Sequence, residues 1–214
     1  ENHHCFVTFS LLSQPEFSIL KHLTHAQLKE VRGLIVSIIL NTDMALHNDL
    51  TELFGNMSDD ILSTMEDSSH NGPLNVRIFA QFSLIARVIV HCADIAGQAL
   101  PLSSAFFWAK RFREECNNQV DSERRLNIPV TTWMTNLTDI NFANSQVGFI
   151  QGVLRPLWVR MSITFPSTKP SLQHIATNEQ FWASYVQHCK AGSRGREVST
   201  SLQSSLVSAI DSRN

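Results

Sequence analysis

The stretch NVRIFAQFSLIARVIVHCAD, residues Asn75–Asp94, decides the fold. Its apolar residues recur at intervals of three and four, the spacing of a helix and not the alternation of a strand. Ile78, Phe82, Ile85, Ala86, Ile89 and Val90 fall on one side, while Phe79, Leu84 and Val88 fall on the other. The pattern predicts a helix from about Asn75 to Ala93, buried nearly all round and central to the fold.

Working outward, the same spacing recurs almost everywhere. Thr24-His25-Ala26-Gln27 has the form of a capping box, in which a Thr hydroxyl accepts from the third amide and the Gln side chain reaches back. The helix it opens carries Leu28, Val31, Leu34, Ile35, Ile38 and Ile39 and is expected to run on into Asn41–His47. Ser103 is a candidate cap for a helix through about Asn118, and Asn144 or Ser145 for one through about Met161. Pro156 lies inside the latter and should kink it, because proline lacks the backbone donor. Asn178–Lys190 reads as a final helix with Phe181, Trp182 and Tyr185 inward. The polar stretches Gly55–Asn75 and Gln119–Ala143 read as loops with short helical turns.

These readings give an all-α chain, and its composition agrees. Among 214 residues there are only 8 Gly and 7 Pro, and 43% of residues are apolar. That excludes a coiled coil and a wholly disordered chain. Residues 191–214 hold seven serines and no aromatic, a composition unable to bury enough apolar surface to order itself, so 1–190 is expected as the domain and 191–214 as a mobile tail.

Charge is balanced, 17 Lys+Arg against 19 Asp+Glu, and the net of −2 offers no basic field for nucleic acid or an anionic membrane. The longest apolar run, Gly33–Leu40, is too short to cross a bilayer. Cys5, Cys92, Cys116 and Cys189 are widely spaced with no CxxC, which fits reduced core thiols of a cytoplasmic protein. The opening Glu1-Asn2-His3-His4 has no initiator Met, and a fragment of a longer protein is expected.

Three places could carry chemistry. His91-Cys92-Ala93-Asp94 puts a carboxylate at the end of the central helix, where it is expected to leave for the bundle interior. A buried carboxylate needs a cation, a metal or several donors. The plainer alternative is that Asp94 caps a turn or pairs with an arginine. Thr42-Asp43-Met44 repeats the pattern of polar residues emerging from an apolar run, with a helix-end cap as its plain reading and His47 a solvated or core histidine. Gln146 and Phe149 lie three apart on one helix face. A glutamine amide with a ring beside it can hold a planar heterocycle, or can simply be core.

Taken together, Glu1-Asn2-His3-His4, Thr42-Asp43-Met44 with His47, His91-Cys92-Ala93-Asp94-Ile95, Trp108, Gln119 with Asp121 and Glu123, and Ser145–Ile150 with Pro156-Leu157 resemble, in order and spacing, the class I cyclic-nucleotide phosphodiesterase catalytic domain. The resemblance covers about residues 1–165. It implies a compact multi-helix bundle of the HD type, truncated at its N-terminus, that hydrolyses the 3′ phosphoester of cyclic AMP or cyclic GMP to the 5′-nucleotide. It further implies two adjacent divalent ions, zinc with magnesium or manganese, that activate a hydroxide.

The same resemblance assigns roles. Asp94 matches a zinc-binding aspartate that also orients the hydroxide, and Thr42 and Glu1 match groups that bond waters on the second metal, which makes these three the catalytic candidates. Gln146 matches the glutamine that bonds the purine edge and Phe149 the ring that stacks on it. Met44, Ile95, Trp108 and Phe112 match positions lining the nucleotide pocket.

Two departures qualify the match. The HNxxHAxDV-like motif and the later His-Asp pair, which supply the leaving-group acid and further metal ligands in the family, do not occur in this sequence. His47-Asn48-Asp49 and His70-Asn71-Gly72 lack the second histidine that would replace them. One carboxylate cannot hold zinc, which takes about four ligands, so the ions are only partly ligated by these residues and hydrolysis is expected only with an upstream segment attached. Gly97 stands where the family often has an asparagine that touches adenine, and Val120 where it often has glycine. The nucleotide preference therefore stays open. The alternative function is a non-catalytic, nucleotide-binding or dimerising helical fragment, and a homodimer is compatible with either reading.

Overall fold

The capping box at Thr24 forms as its residues dictate: the Gln27 amide donates to Thr24 Oγ1, and the Thr24 amide donates to Gln27 Oε1 at 3.0 Å. It starts one of eight α-helices in a computed structural model that describes residues 1–66 and 76–192. They are α1 (Asn2–Leu12), α2 (His25–Leu40), α3 (His47–Glu66), α4 (Val76–Asp94), α5 (Leu102–Arg125), α6 (Asp139–Phe149), α7 (Arg155–Thr164) and α8 (Lys169–Gly192). No strand occurs among the described residues, so the all-α expectation holds. No helix among them is long and apolar enough to cross a membrane.

The helices fall into two compact units, Glu1–Ile95 and the residues from Ala96 on. In the first, α2 and α3 each pack on α4, and α1 packs on α2. Its core is small. On α3 the buried positions His47, Leu50, Thr51 and Phe54 recur at three and four, and on α4 Gln81, Leu84, Val88 and His91 do the same. The expectation that α4 is buried all round is therefore corrected. Only the stripe through Leu84 and Val88 is covered, while Phe79, Phe82, Ile89 and Val90 are exposed.

The second unit centres on α8, against which α5, α6 and α7 pack. Phe106, Phe142, Phe181, Trp182 and Tyr185 form one aromatic cluster, with Phe181 and Trp182 at 5.1 Å and Phe142 edge-on to Trp182 at 5.7 Å. Ile150, Leu154, Leu157 and Ile175 complete a core with no exposure. Full burial of each such side chain contributes about 1.5–3 kcal/mol before entropy is charged against it.

Several boundaries differ from the sequence reading, each for a local reason. Gly55–Asn75 is not a loop at its start, because α3 continues to Glu66. Gln119–Ala143 is likewise helical at both ends, which leaves 126–138 as the connection. The polar residues there are the solvated face of α5, where Arg124 pairs with Asp121 at i,i+3. Neither Ser103 nor Asn144 caps a helix: α5 starts after Pro101, and Thr138 Oγ1 accepts from the Asn141 amide to start α6. The single helix expected through Met161 is divided by a π-helical turn, Ile150–Leu154, so Pro156 falls in the first turn of α7, where a missing amide costs nothing. α2 stops at Leu40 instead of running to His47, because Asp43 caps a separate 3₁₀ turn, Met44–Leu46. The final helix starts nine residues before Asn178, at Lys169.

All four cysteines are free; Cys92, Cys116 and Cys189 are buried and Cys5 is half-buried. Burial pushes the Cys92 thiol up to about 12, which makes it a core group and not a nucleophile. The expected tail lies outside the described residues except for Ala191 and Gly192, which end α8.

Candidate active site

In the first unit one hydrogen bond links the two segments that carry site residues. The 3₁₀ turn carrying Met44 leads straight into α3, and its first residue, His47, meets His91 of α4 with Nδ1 and Nε2 at 2.9 Å. Both rings are buried. This pair fastens the Thr42–Met44 turn to the end of the helix that carries Asp94 and Ile95. His47 is thus a core histidine, and the sequence offered no sign of its partner. Burial holds the His91 imidazole below the ordinary histidine range, only partly offset by the charge of Asp94. The hydroxyl of Thr42 donates to the Ile39 carbonyl at 2.8 Å, Met44 is exposed and Ile95 half-buried.

Asp94 does not enter the interior. It is exposed, and among the described residues it makes no hydrogen bond or ion pair. The buried stripe of α4 ends at His91 and Cys92, and Asp94 lies beyond it, on the last turn of the helix. Asp94 is therefore not a buried carboxylate, and among the described residues it neither caps a turn nor pairs with an arginine. Glu1 is also exposed, and its side chain does not cap α1.

In the second unit Gln146 is buried, 6% exposed, on α6. Its Oε1 accepts from Gln98 Nε2 at 3.0 Å. Gln98 also donates to the Ala105 carbonyl of α5 at 3.3 Å, and its own Oε1 accepts from the Trp182 indole N–H of α8 at 3.0 Å. An indole nitrogen can only donate. That fixes Gln98 with its oxygen toward Trp182 and its NH₂ toward Gln146, which in turn fixes Gln146 with its oxygen toward Gln98. The NH₂ of Gln146 is the group left to turn toward a ligand. Asn178 braces the relay from below, donating to the carbonyls of Gln98 at 2.8 Å and Leu100 at 2.9 Å.

Gln98, Asn178 and Trp182 were missed as functional residues. The donor-only indole is the one clue the sequence held, because a buried Trp needs an acceptor. Phe149, half-buried, closes α6 one turn beyond Gln146. Trp108 and Phe112 lie on the exposed face of α5, and Phe112 stacks on Trp133 at 6.3 Å with rings 21° apart. A side chain at Gly97 would meet only the Cβ of Trp108, at 3.8 Å, so space does not impose glycine there. Val120 is core.

The residues present do not compose a metal site. Among the described residues no three His, Cys, Asp or Glu stand close enough together to hold an ion. Asp94 remains as one exposed carboxylate, and zinc requires about four ligands.

Comparison with known proteins follows the same residues. The family described as 3'5'-cyclic nucleotide phosphodiesterase matches residues 1–175. The high affinity cGMP-specific 3',5'-cyclic phosphodiesterase 9A of Homo sapiens is 29% identical over 166 residues, which cover 78% of this chain and 26% of that protein. The 3',5'-cyclic-nucleotide phosphodiesterase regA of Dictyostelium discoideum is 30% identical over 192 residues, 90% of this chain and 23% of its own length. Among solved structures, the phosphodiesterase domain of Salpingoeca rosetta rhodopsin phosphodiesterase superposes with a TM-score of 0.74 at 26% identity, over 90% of this chain and 56% of that one. The chain thus spans about a quarter of the length of these curated relatives.

Proposed function

The chain belongs to the 3'5'-cyclic nucleotide phosphodiesterase family, and from that premise we propose that it supplies the nucleotide-reading part of an enzyme that hydrolyses the 3′ phosphoester of cyclic AMP or cyclic GMP to the 5′-nucleotide. The observation that carries the reading is the orientation of Gln146: a buried amide whose oxygen is committed to Gln98 leaves its NH₂ to donate to a purine edge. Phe149 supplies the ring face, and Trp108 and Phe112 the walls on the same unit; Met44 and Ile95, in the first unit, are assigned to substrate by their match to the family alone. Holding the amide in one orientation before the ligand arrives removes the rotamer entropy that binding would otherwise cost.

Asp94, Thr42 and Glu1 form the catalytic end of the proposal by their match to the family. In such an enzyme Asp94 would contribute one carboxylate toward a pair of divalent ions, zinc with magnesium or manganese, which would activate the attacking hydroxide. The 214 residues by themselves are expected not to turn over, because the HNxxHAxDV-like motif and the later His-Asp pair that supply the family's other metal ligands do not occur in this sequence. The second reading is a non-catalytic, nucleotide-binding or dimerising helical fragment. The reading places the protein in the cytoplasm, where its free cysteines stay reduced.

Two measurements test the proposal. Titration with cyclic AMP and cyclic GMP, followed by Trp108 fluorescence, should give saturable binding, and its absence up to millimolar nucleotide would sink the pocket. A hydrolysis assay with added zinc and magnesium should show no turnover by these residues alone, whereas robust turnover would overturn the claim that ligands are lacking.

A further inference from the structure

The pattern Gln119-x-Asp121-x-Glu123 near the end of α5 has so far been given no role. Glu123 is buried although α5 is otherwise strongly polar at this end, and its carboxylate accepts three hydrogen bonds. Gln119 Nε2 donates to it at 2.8 Å, the Thr131 amide at 2.8 Å and the Thr131 hydroxyl at 2.9 Å. These donors hold the carboxyl below the usual range, the Gln119 bond being the largest cause.

The backbone converges on the same residue. Asn127, at φ 52°, adopts the left-handed conformation just past the helix end. The Ile128 amide donates to the Glu123 carbonyl at 3.1 Å and the Asn127 amide to the Arg124 carbonyl at 3.2 Å, the paired bonds of a Schellman turn. The chain is thereby reversed and led back over α5, and Glu123 grips it from both main chain and side chain. At the far end of the connection Arg113 pairs with Asp139 at 2.6 Å, so the 126–138 segment is tied to α5 twice.

What this segment carries is Trp133. Trp108, Phe112, Gln119 and Glu123 lie at steps of four, seven and four along α5, hence on one face, and Trp133 stacks loosely beside Phe112, with centroids 6.3 Å and planes 21° apart. Trp133 is 58% exposed and Phe112 44%, a wide apolar surface to leave in water without a purpose in the fold.

We propose that Glu123 is a positioning residue: through Thr131 it holds the 126–138 segment so that Trp133 lies across Phe112 and the two rings form one wall of the nucleotide pocket. The inference rests on the reading of that pocket given above. It adds Trp133 to the wall, and it gives Glu123, which touches no ligand, the task of keeping the wall assembled. A stacked pair presents a broad rigid face to a base, and such faces are sequence-tolerant because every base has one.

The test uses the 214-residue chain labelled with 5-fluorotryptophan. Its four tryptophans give four fluorine resonances, assigned by Trp133→Phe and Trp182→Phe. Phe112→Leu defines where the Trp133 resonance falls without the stack. Glu123→Ala should move it there, Thr131→Val part of the way, and Glu123→Gln, which keeps an acceptor oxygen for the Thr131 amide, less far than Glu123→Ala. The Trp182 resonance, inside the aromatic core, should stay in place and reports that the fold is intact. Should Glu123→Ala not fold, Thr131→Val carries the same prediction. A Trp133 resonance unmoved in the folded variants overturns the proposal.

The second arm titrates cyclic AMP and cyclic GMP. Glu123→Ala and Trp133→Ala should each weaken binding about tenfold, the scale of one aromatic face on a base, and the double variant should be no weaker than Trp133→Ala. If the unmutated chain binds nucleotide and Glu123→Ala binds it equally well, the positioning role fails while the pocket stands. If the unmutated chain binds neither nucleotide, the pocket itself fails and the wall with it.

Discussion

Residues 1–95 and the residues from Ala96 on are both helical, but they bury their polar groups in different ways. In the second unit the polar centre is a relay of Gln98, Gln146 and Trp182 set against an aromatic cluster, and each link satisfies the next. In the first, the His47–His91 pair leaves His91 Nδ1 without a partner among the described residues, and Thr51 Oγ1 is unmatched too, against Asn178 Oδ1 in the second unit. The apolar residues divide likewise. α1 and α2 bury none of theirs, whereas α7 and α8 bury most. The unit that holds Gln146 is therefore a finished core, and the unit that holds Asp94 is a thin one whose helices expose apolar faces.

The largest effect expected from this contrast is on stability. Phe181 is 1% exposed at the centre of the aromatic cluster, and Phe181→Ala should cost about 3–5 kcal/mol. Phe82, 56% exposed on α4, should cost less than about 0.5 kcal/mol when changed to Ala. Urea unfolding followed by circular dichroism gives both numbers. Equal losses would mean that the two units do not differ as described.

Next comes the relay. Trp182→Phe keeps a ring in the cluster but removes the donor that, among the described residues, reaches Gln98 Oε1, leaving a buried acceptor unmatched at about 1–3 kcal/mol. It also frees Gln98, and hence Gln146, to turn over, so the variant should bind cyclic nucleotides more weakly and with a changed preference between the two. A variant as stable and as selective as the parent would show that the indole does not set the orientation.

Much of this was legible in the chain and some was not. The capping box at Thr24, the all-α class and the central helix can be read directly, because each depends on residues within a turn or two of one another. The burial of α4 could not be read, since Phe82 and Leu84 look alike in a sequence and only the neighbours in the fold distinguish them. The same holds for Asp94: its place at the end of an apolar helix pointed inward, and the buried stripe stopped one turn earlier. Gln146 stood out through its motif, yet the residues that orient it are 48 and 36 positions away in Gln98 and Trp182. Long-range polar pairing leaves no local trace unless a donor-only group, here the indole, demands an acceptor.

Acid should separate the units by pH. The folded His91 has a depressed pKa, so on acidification the unfolded chain takes up a proton that the folded chain refuses. The first unit should then lose stability as pH falls below the ordinary imidazole value of about 6.5, by at most about 1.4 kcal/mol per unit for one proton. Glu123 is depressed as well, but it is a carboxylate: its contribution is complete above the ordinary glutamate range and is lost only as pH falls through its lowered value. Hydrogen exchange of α4 amides should thus accelerate in mild acid while those at the end of α5 hold until stronger acid. His91→Phe should abolish the first transition and leave the second; persistence of the first would assign it to another group.

The smallest shift is expected at Asp94, and it is informative for that reason. The carboxylate is exposed and has no partner among the described residues, so Asp94→Asn removes a charge without removing a contact there. Substitutions of that kind change stability by no more than about 0.5 kcal/mol. The neighbouring imidazole should register the loss instead, since the charge of Asp94 raises the His91 pKa, and without it the acid transition of the first unit should deepen. A residue that matters to chemistry but not to the fold has this signature: negligible change in unfolding, a displaced histidine titration, and loss of hydrolysis by orders of magnitude in the complete enzyme. An unfolding midpoint lowered by more than about 1 kcal/mol would give Asp94 a structural partner instead, and the catalytic assignment of that end of α4 would have to be abandoned.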